Sequence, residues 1–166
     1  MGSTKKVNEM KKQIYWQDIN VGQELPALTK IATTLTLVKW AGAFGDFNPL
    51  HYENDFAVNF MRTDGIIVHG TLKRQWLIQM LTDWIGDEGW LKRIQTQFRI
   101  MDHPRHMKNL VEPVEGDTLL CKGKVTGKSE KDGEYLVECD IWLENGKGEV
   151  TTSGTATVTL PKNKGF

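Results

Sequence analysis

Residues 70–85, GTLKRQWLIQMLTDWI, carry the clearest periodic signal in the chain. Leu72, Trp76, Leu77, Met80, Leu81 and Trp84 recur at helical spacing and make one broad apolar stripe, with Gln75, Gln79 and Asp83 opposite. A helix of this kind has to bury its stripe against another layer. The residues that follow supply one, because the period changes to two. Ile94, Thr96, Phe98 and Ile100 alternate with Arg93, Gln95, Gln97 and Arg99, and three further runs hold Leu119, Cys121 and Val125, then Tyr135 to Leu143, then Val150 to Leu160. Asp132-Gly133 and Asn145-Gly146 separate the last three runs, and such pairs provide the positive-φ residues of tight hairpins. An antiparallel meander is expected there. Upstream, residues 28–37 (LTKIATTLTL) place Ile31, Thr33, Leu35 and Leu37 at period two, which predicts a strand. Tyr52, Phe56, Ala57 and Phe60 have the spacing of a helix lying on a core. Residues 101–113 contain two prolines and predict a loop or bulged edge. The whole is α+β: an antiparallel sheet wrapped around one long central helix.

Composition narrows the function classes. The chain has 166 residues, enough for a single domain that buries roughly 70% of the surface its unfolded chain exposes. Lysine plus arginine and aspartate plus glutamate are 21 each, so the diffuse positive field of a nucleic-acid binder is missing and no nucleic-acid partner is expected. No apolar run approaches the ~18 residues of a membrane helix, and no membrane association is expected. Cys121 and Cys139 are too few for a disulfide scaffold and fit a reducing, cytoplasmic setting. Residues 1–14 read as a polar lead-in without an apolar targeting segment, and 15–166 as one domain. His103 and His106 form an H-x-x-H pair, but Pro104 lies between them and no carboxylate sits beside them at helical spacing, so no metal is expected.

Chemistry concentrates in residues 43–57, AFGDFNPLHYENDFA. Asp46, Asn48 and His51 lie within six residues and Pro49 forces a turn among them. A turn can aim a carboxylate, an amide and an imidazole into one space, as proton transfer through a water requires. The same residues also read as plain turn chemistry, with Asn48 as a helix cap, Pro49 in the first helical position and Asp46 closing an Asx-turn.

Phe44 followed by Gly45-Asp46-Phe47-Asn48-Pro49-Leu50-His51 and then Ala57 resembles the signature of the MaoC-like, type 2 (R-specific) enoyl-CoA hydratase family. The resemblance extends to His69-Gly70 opening the long helix, to Gly116-Asp117 and to Gly154 through Val158, and spans about residues 15–161. It implies the hot-dog fold and reversible syn addition of water across the double bond of a 2-enoyl thioester, or dehydration of an (R)-3-hydroxyacyl thioester. The substrate would be carried on CoA or acyl carrier protein, with no metal or redox cofactor.

Carried over by position, Asp46 and His51 are the acid/base pair, Asn48 orients the group, and the Gly70 backbone N–H faces the thioester oxygen. An amide in that place has no intrahelical partner and sits at the positive end of the helix dipole, although a cap or close-packing glycine would look the same. Relatives also imply a homodimer or higher oligomer with the site between subunits. Two departures stand out. Ile78 occupies the position where some relatives carry a serine, and Lys73 and Arg74 stand where apolar or small residues are usual. With Arg105 and Lys108, those two cations are candidates for the carrier's phosphates, against the plainer reading of solvated or interface charges. Thioester hydrolysis on the same fold and a non-catalytic subunit of a paired dehydratase are the alternatives.

Overall fold

A computed structural model describes residues 13–163. The lead-in expected over 1–14 therefore lies outside the described residues except at its last two positions. The chain runs through β1 (Leu28–Lys30), α1 (Thr34–Phe44), short helical turns at Pro49–His51 and Phe56–Phe60, α2 (Gly70–Ile85), β2 (Trp90–Phe98), β3 (Leu119–Lys131), β4 (Glu134–Glu144) and β5 (Val150–Thr159). The strands form one antiparallel sheet in the order β1-β3-β4-β5-β2.

The stripe of α2 is the centre of the core. Leu72, Trp76, Leu77, Met80, Leu81 and Trp84 are all buried and pack with Cys121 and Val125 of β3, Val137, Cys139, Ile141 and Leu143 of β4, and Ala156 and Val158 of β5. Each such aliphatic side chain contributes about 1.5–3 kcal/mol by leaving water. The meander closes as expected at Asp132 and Gly133, whose φ values of 52° and 80° make the two-residue hairpin between β3 and β4. Gly154 has a steric reason for lacking a side chain, since a Cβ there would fall on the Gln95 carbonyl oxygen of the neighbouring β2.

Four expectations need correction. Residues 28–37 are not one strand: pairing with β3 stops at Lys30 and a helix starts at Thr34. Thr33 decides this locally, because its hydroxyl accepts the Thr36 N–H at 3.0 Å and caps α1. Leu37 and Ala41, four apart, then face the core while Ile31 and Leu35 stay exposed. The stretch from Tyr52 to Phe60 does not lie on the core either; only Ala57 is buried, and the turn widens so that Met61 N–H reaches the Phe56 carbonyl. The β4–β5 turn takes its left-handed residue at Gly148, φ 79°, and not at Gly146. There the Asn145 side chain accepts the Lys147 and Glu149 N–H groups, each at 3.0 Å, which opens the turn beyond two residues. Finally, β2 begins at Trp90 and leaves Ile100 beyond its end. Residues 101–113 are a loop, tied to the start of α1 by Arg105 N–H to Ala32 (2.8 Å) and Thr34 N–H to the Arg105 carbonyl (3.0 Å).

Candidate active site

The turn after α1 is built by a few short-range rules. Gly45 ends the helix in the left-handed region, φ 78°, with its N–H on the Ala41 carbonyl at 2.8 Å. Asp46 follows, half-buried, and its Oδ1 accepts the Asn48 N–H at 3.4 Å. Asn48 in turn caps the Pro49–His51 turn by accepting the Leu50 N–H on Oδ1 at 3.0 Å. The turn-chemistry reading of these residues is thus correct at the level of local structure. The same turn carries His51 into a buried position beside Asp46.

His51 Nδ1 lies 2.8 Å from the Ile67 carbonyl. A carbonyl only accepts, so Nδ1 carries the proton and the neutral ring leaves the Nε2 lone pair free to take one. A second imidazole lies on the first. His69, fully buried, stacks on His51 with ring centroids 3.6 Å apart and an interplanar angle of 20°. Its Nε2 is 3.3 Å from the Asp46 carbonyl, and its Nδ1 has no hydrogen-bond partner. Its folded pKa is held below the ordinary 6.5: burial disfavours the cation most, the His51 ring adds to this, and the carbonyl and charge of Asp46 oppose it. A carboxylate oxygen of Asp46 and one ring nitrogen from each histidine all lie within 4.8 Å of one another.

Two histidines and an aspartate invite a metal ion, but the ring geometry does not suit one. An imidazole lone pair lies in its ring plane, so stacked, nearly parallel rings do not converge on a common ion. The cluster suits proton transfer. His103 and His106 form no site of their own: His103 Nδ1 is on the Ile66 carbonyl at 3.0 Å, His106 is exposed, and neither belongs to a three-ligand cluster among the described residues.

Gly70 is the first residue of α2, after His69 as its cap. The Leu72 and Lys73 N–H groups both bond the His69 carbonyl at 3.1 Å, so the hydrogen-bonded ladder begins after Gly70 and its amide lies at the positive end of the helix. Packing also favours glycine, since a Cβ here would come 2.8 Å from the Phe98 ring, which would have to move aside. Close packing at Cα and a helix-start N–H thus coexist at Gly70. Ile78 sits two turns further along α2, half-buried.

The four basic candidates separate. Lys73 is a correction: it is 2% exposed, and its ammonium is taken by Asp102 Oδ2 at 2.6 Å and the Ile100 carbonyl at 2.9 Å, which leaves it unsuited to a carrier phosphate. Arg74 is half-buried and lines an open groove of about 870 Å³ with Ile94, Thr96, Phe98 and Ser153. Arg105 donates to the Asp117 carbonyl and the Thr118 hydroxyl, both at 3.0 Å, on the wall of a cleft of about 560 Å³. Lys108 is exposed. His69 is the residue that sequence reasoning missed as a site group; its only signal was its place beside Gly70 at the helix start.

No family model matches the chain, and no curated protein matches it. Solved structures do. The (R)-hydratase from A. caviae involved in PHA biosynthesis superposes with a TM-score of 0.71 at 23% identity, over 87% of this chain and 99% of that one. The MaoC-like dehydratase from Rhodospirillum rubrum gives 0.73 at 18% identity over 90% and 98%, and the ChsH1-ChsH2 complex from Mycobacterium tuberculosis 0.69 at 23% over 85% and 98%. The chain has the hot-dog fold that these proteins share. The first two of these carry the family names, R-hydratase and MaoC-like dehydratase, that the Gly45–His51 motif resembles.

Proposed function

We propose that this protein is a hydro-lyase of acyl thioesters, adding water to a 2-enoyl thioester or removing it from an (R)-3-hydroxyacyl thioester. The observation that carries the reading is the single space shared by the Asp46 carboxylate and His51, whose free Nε2 is fixed by the bond from Nδ1 to Ile67. In hydration the dyad holds one water. Its oxygen bonds to C3 as the dyad takes its proton, the double-bond electrons move onto the thioester oxygen, and the Gly70 N–H at the head of α2 faces that growing charge. The enolate then collapses as the dyad delivers a proton to C2 on the same face. Asp46 and His51 act as a coupled pair, so the two protons belong to the dyad and not to either residue alone. The scheme calls on no metal or redox cofactor.

The active form in this reading is a homodimer or larger. β2, nine residues long, pairs with β5 on one side and has no strand on its outer side among the described residues, and Phe44, Phe47, Phe60 and Met61 are exposed around the turn that carries Asp46. Arg74, Arg105 and Lys108 are the cations offered to a carrier's phosphates. A reducing, cytoplasmic setting fits Cys121 and Cys139, free thiols whose pKa burial pushes up to about 12, which makes them inert.

Incubation with crotonyl-CoA, a longer-chain enoyl-CoA and a bulky enoyl-CoA tests the reading and sorts the substrate. A 3-hydroxyacyl product from at least one of them is expected. Release of free CoA thiol with no hydroxyacyl product would assign thioester hydrolysis instead, and inertness towards all three would favour a non-catalytic subunit.

A further inference from the structure

We propose that the buried ion pair between Lys73 and Asp102 is a positioning device that holds the start of α2, and with it the Gly70 amide and the His69 ring, against the turn bearing Asp46 and His51. The inference rests on the reaction proposed above for the roles of Asp46, His51 and Gly70. The pair itself lies outside the reacting groups. Both side chains are almost fully buried, 3% and 4% exposed.

Asp102 grips the helix start from two sides. Its carboxylate takes the Lys73 ammonium at 2.6 Å, and its backbone carbonyl accepts the Val68 N–H at 2.8 Å. Val68 precedes His69, and Lys73 closes the first helical turn by bonding the His69 carbonyl. His69 and Gly70 are therefore held between two contacts to one residue. The loop that carries Asp102 is itself anchored on the sheet, since Arg99 and Ile100 N–H groups both bond the Thr151 carbonyl, at 2.9 and 3.2 Å. Lys73 also bonds the Ile100 carbonyl of that loop. A continuous path of bonds runs from β5 through residues 99–102 to the helix cap, and from His69 to Asp46.

Stability alone gives no reason for this arrangement. A cation in the first turn of a helix opposes the helix dipole, and a buried ion pair is often matched or bettered in stability by apolar residues of similar size. What apolar residues do not provide is a fixed direction and distance between two elements. A shift of about 1 Å in a reacting group lowers rate by about 100-fold, so rigid placement of Gly70 and His69 is worth a loss of stability.

The test compares Lys73→Met, Asp102→Leu, the double variant and Asp102→Glu, reading Tm, kcat and KM of the whole protein. The single apolar variants leave one buried charge unpaired and are expected to melt earlier. The double variant should regain most of the wild-type Tm yet keep kcat down by about 10-fold to 100-fold, with KM changed far less. Recovery of kcat together with Tm would reduce the pair to a structural role and overturn the proposal. If the double variant does not fold, Asp102→Glu decides, because it keeps both charges and moves one by a methylene: a lowered kcat supports positioning and wild-type kcat overturns it. Imidazole ¹⁵N resonances of His51 and His69 read the same geometry without substrate. Changed resonances in Asp102→Glu, in a protein that hydrates no enoyl thioester, would leave the positioning intact and remove the proposed reaction; unchanged resonances would overturn the positioning.

Discussion

The two ends of α2 are buried by different means. Towards its C-terminus Leu77, Met80, Leu81, Trp84 and Ile85 meet the sheet with apolar surface alone. At its N-terminus Leu72 is joined by two buried polar side chains, His69 and Lys73, facing His51 and Asp102. One end gains stability from every contact, while the other buries imidazoles and a charge that each carry a desolvation cost. The proposed reaction uses the end of the central helix that buries polar groups, so substitutions at the two ends should separate rate from stability.

The largest expected effect is on rate at the polar end. Asp46→Asn and His51→Ala should each lower kcat for enoyl-CoA hydration by about 100-fold or more, with circular dichroism and Tm close to wild type. Near wild-type rates in both would end the distinction between the two ends. Next is stability at the apolar end: Leu81→Ala should cost about 2–5 kcal/mol in denaturant unfolding, with kcat per folded molecule nearly unchanged.

A smaller effect sharpens the comparison through pH. His69 is held neutral in the fold, so below 6.5 the unfolded chain takes up a proton that the folded one resists. Its contribution to stability is intact above 6.5 and is lost as pH falls from there towards the depressed folded value. Urea midpoints measured from pH 8 down to pH 5 should fall more steeply in the wild type than in His69→Gln, and equal slopes would contradict the neutral assignment. The smallest effects belong to the surface. Arg74→Ala, Arg105→Ala and Lys108→Ala should raise KM by about tenfold at most, less at high salt, and leave kcat in place; an unchanged KM in all three would remove the carrier-binding role.

The same contrast explains what was legible beforehand. The α2 stripe and the β3–β5 meander repeat over ten or more residues, and a long period survives local exceptions. Residues 28–37 do not, because Leu37 and Ala41 satisfy helical spacing while Ile31, Thr33, Leu35 and Leu37 satisfy alternation; a single cap from Thr33 to Thr36 broke the tie. Asp46 and His51 were readable as a local motif on one turn. His69 and Lys73 were not, since each is defined by a partner far along the chain, with Lys73 and Asp102 separated by 29 positions. No local pattern reveals which polar residue a fold will bury.

Hydration in D₂O tests the central claim most directly. Wild-type protein given an enoyl-CoA in D₂O should yield only the (R)-3-hydroxyacyl-CoA, with deuterium at C2 on the same face as the new hydroxyl, and Asp46→Asn should yield almost none under the same conditions. A product of mixed C2 configuration, or equal deuterated product from the variant, would contradict a single water handled by Asp46 and His51.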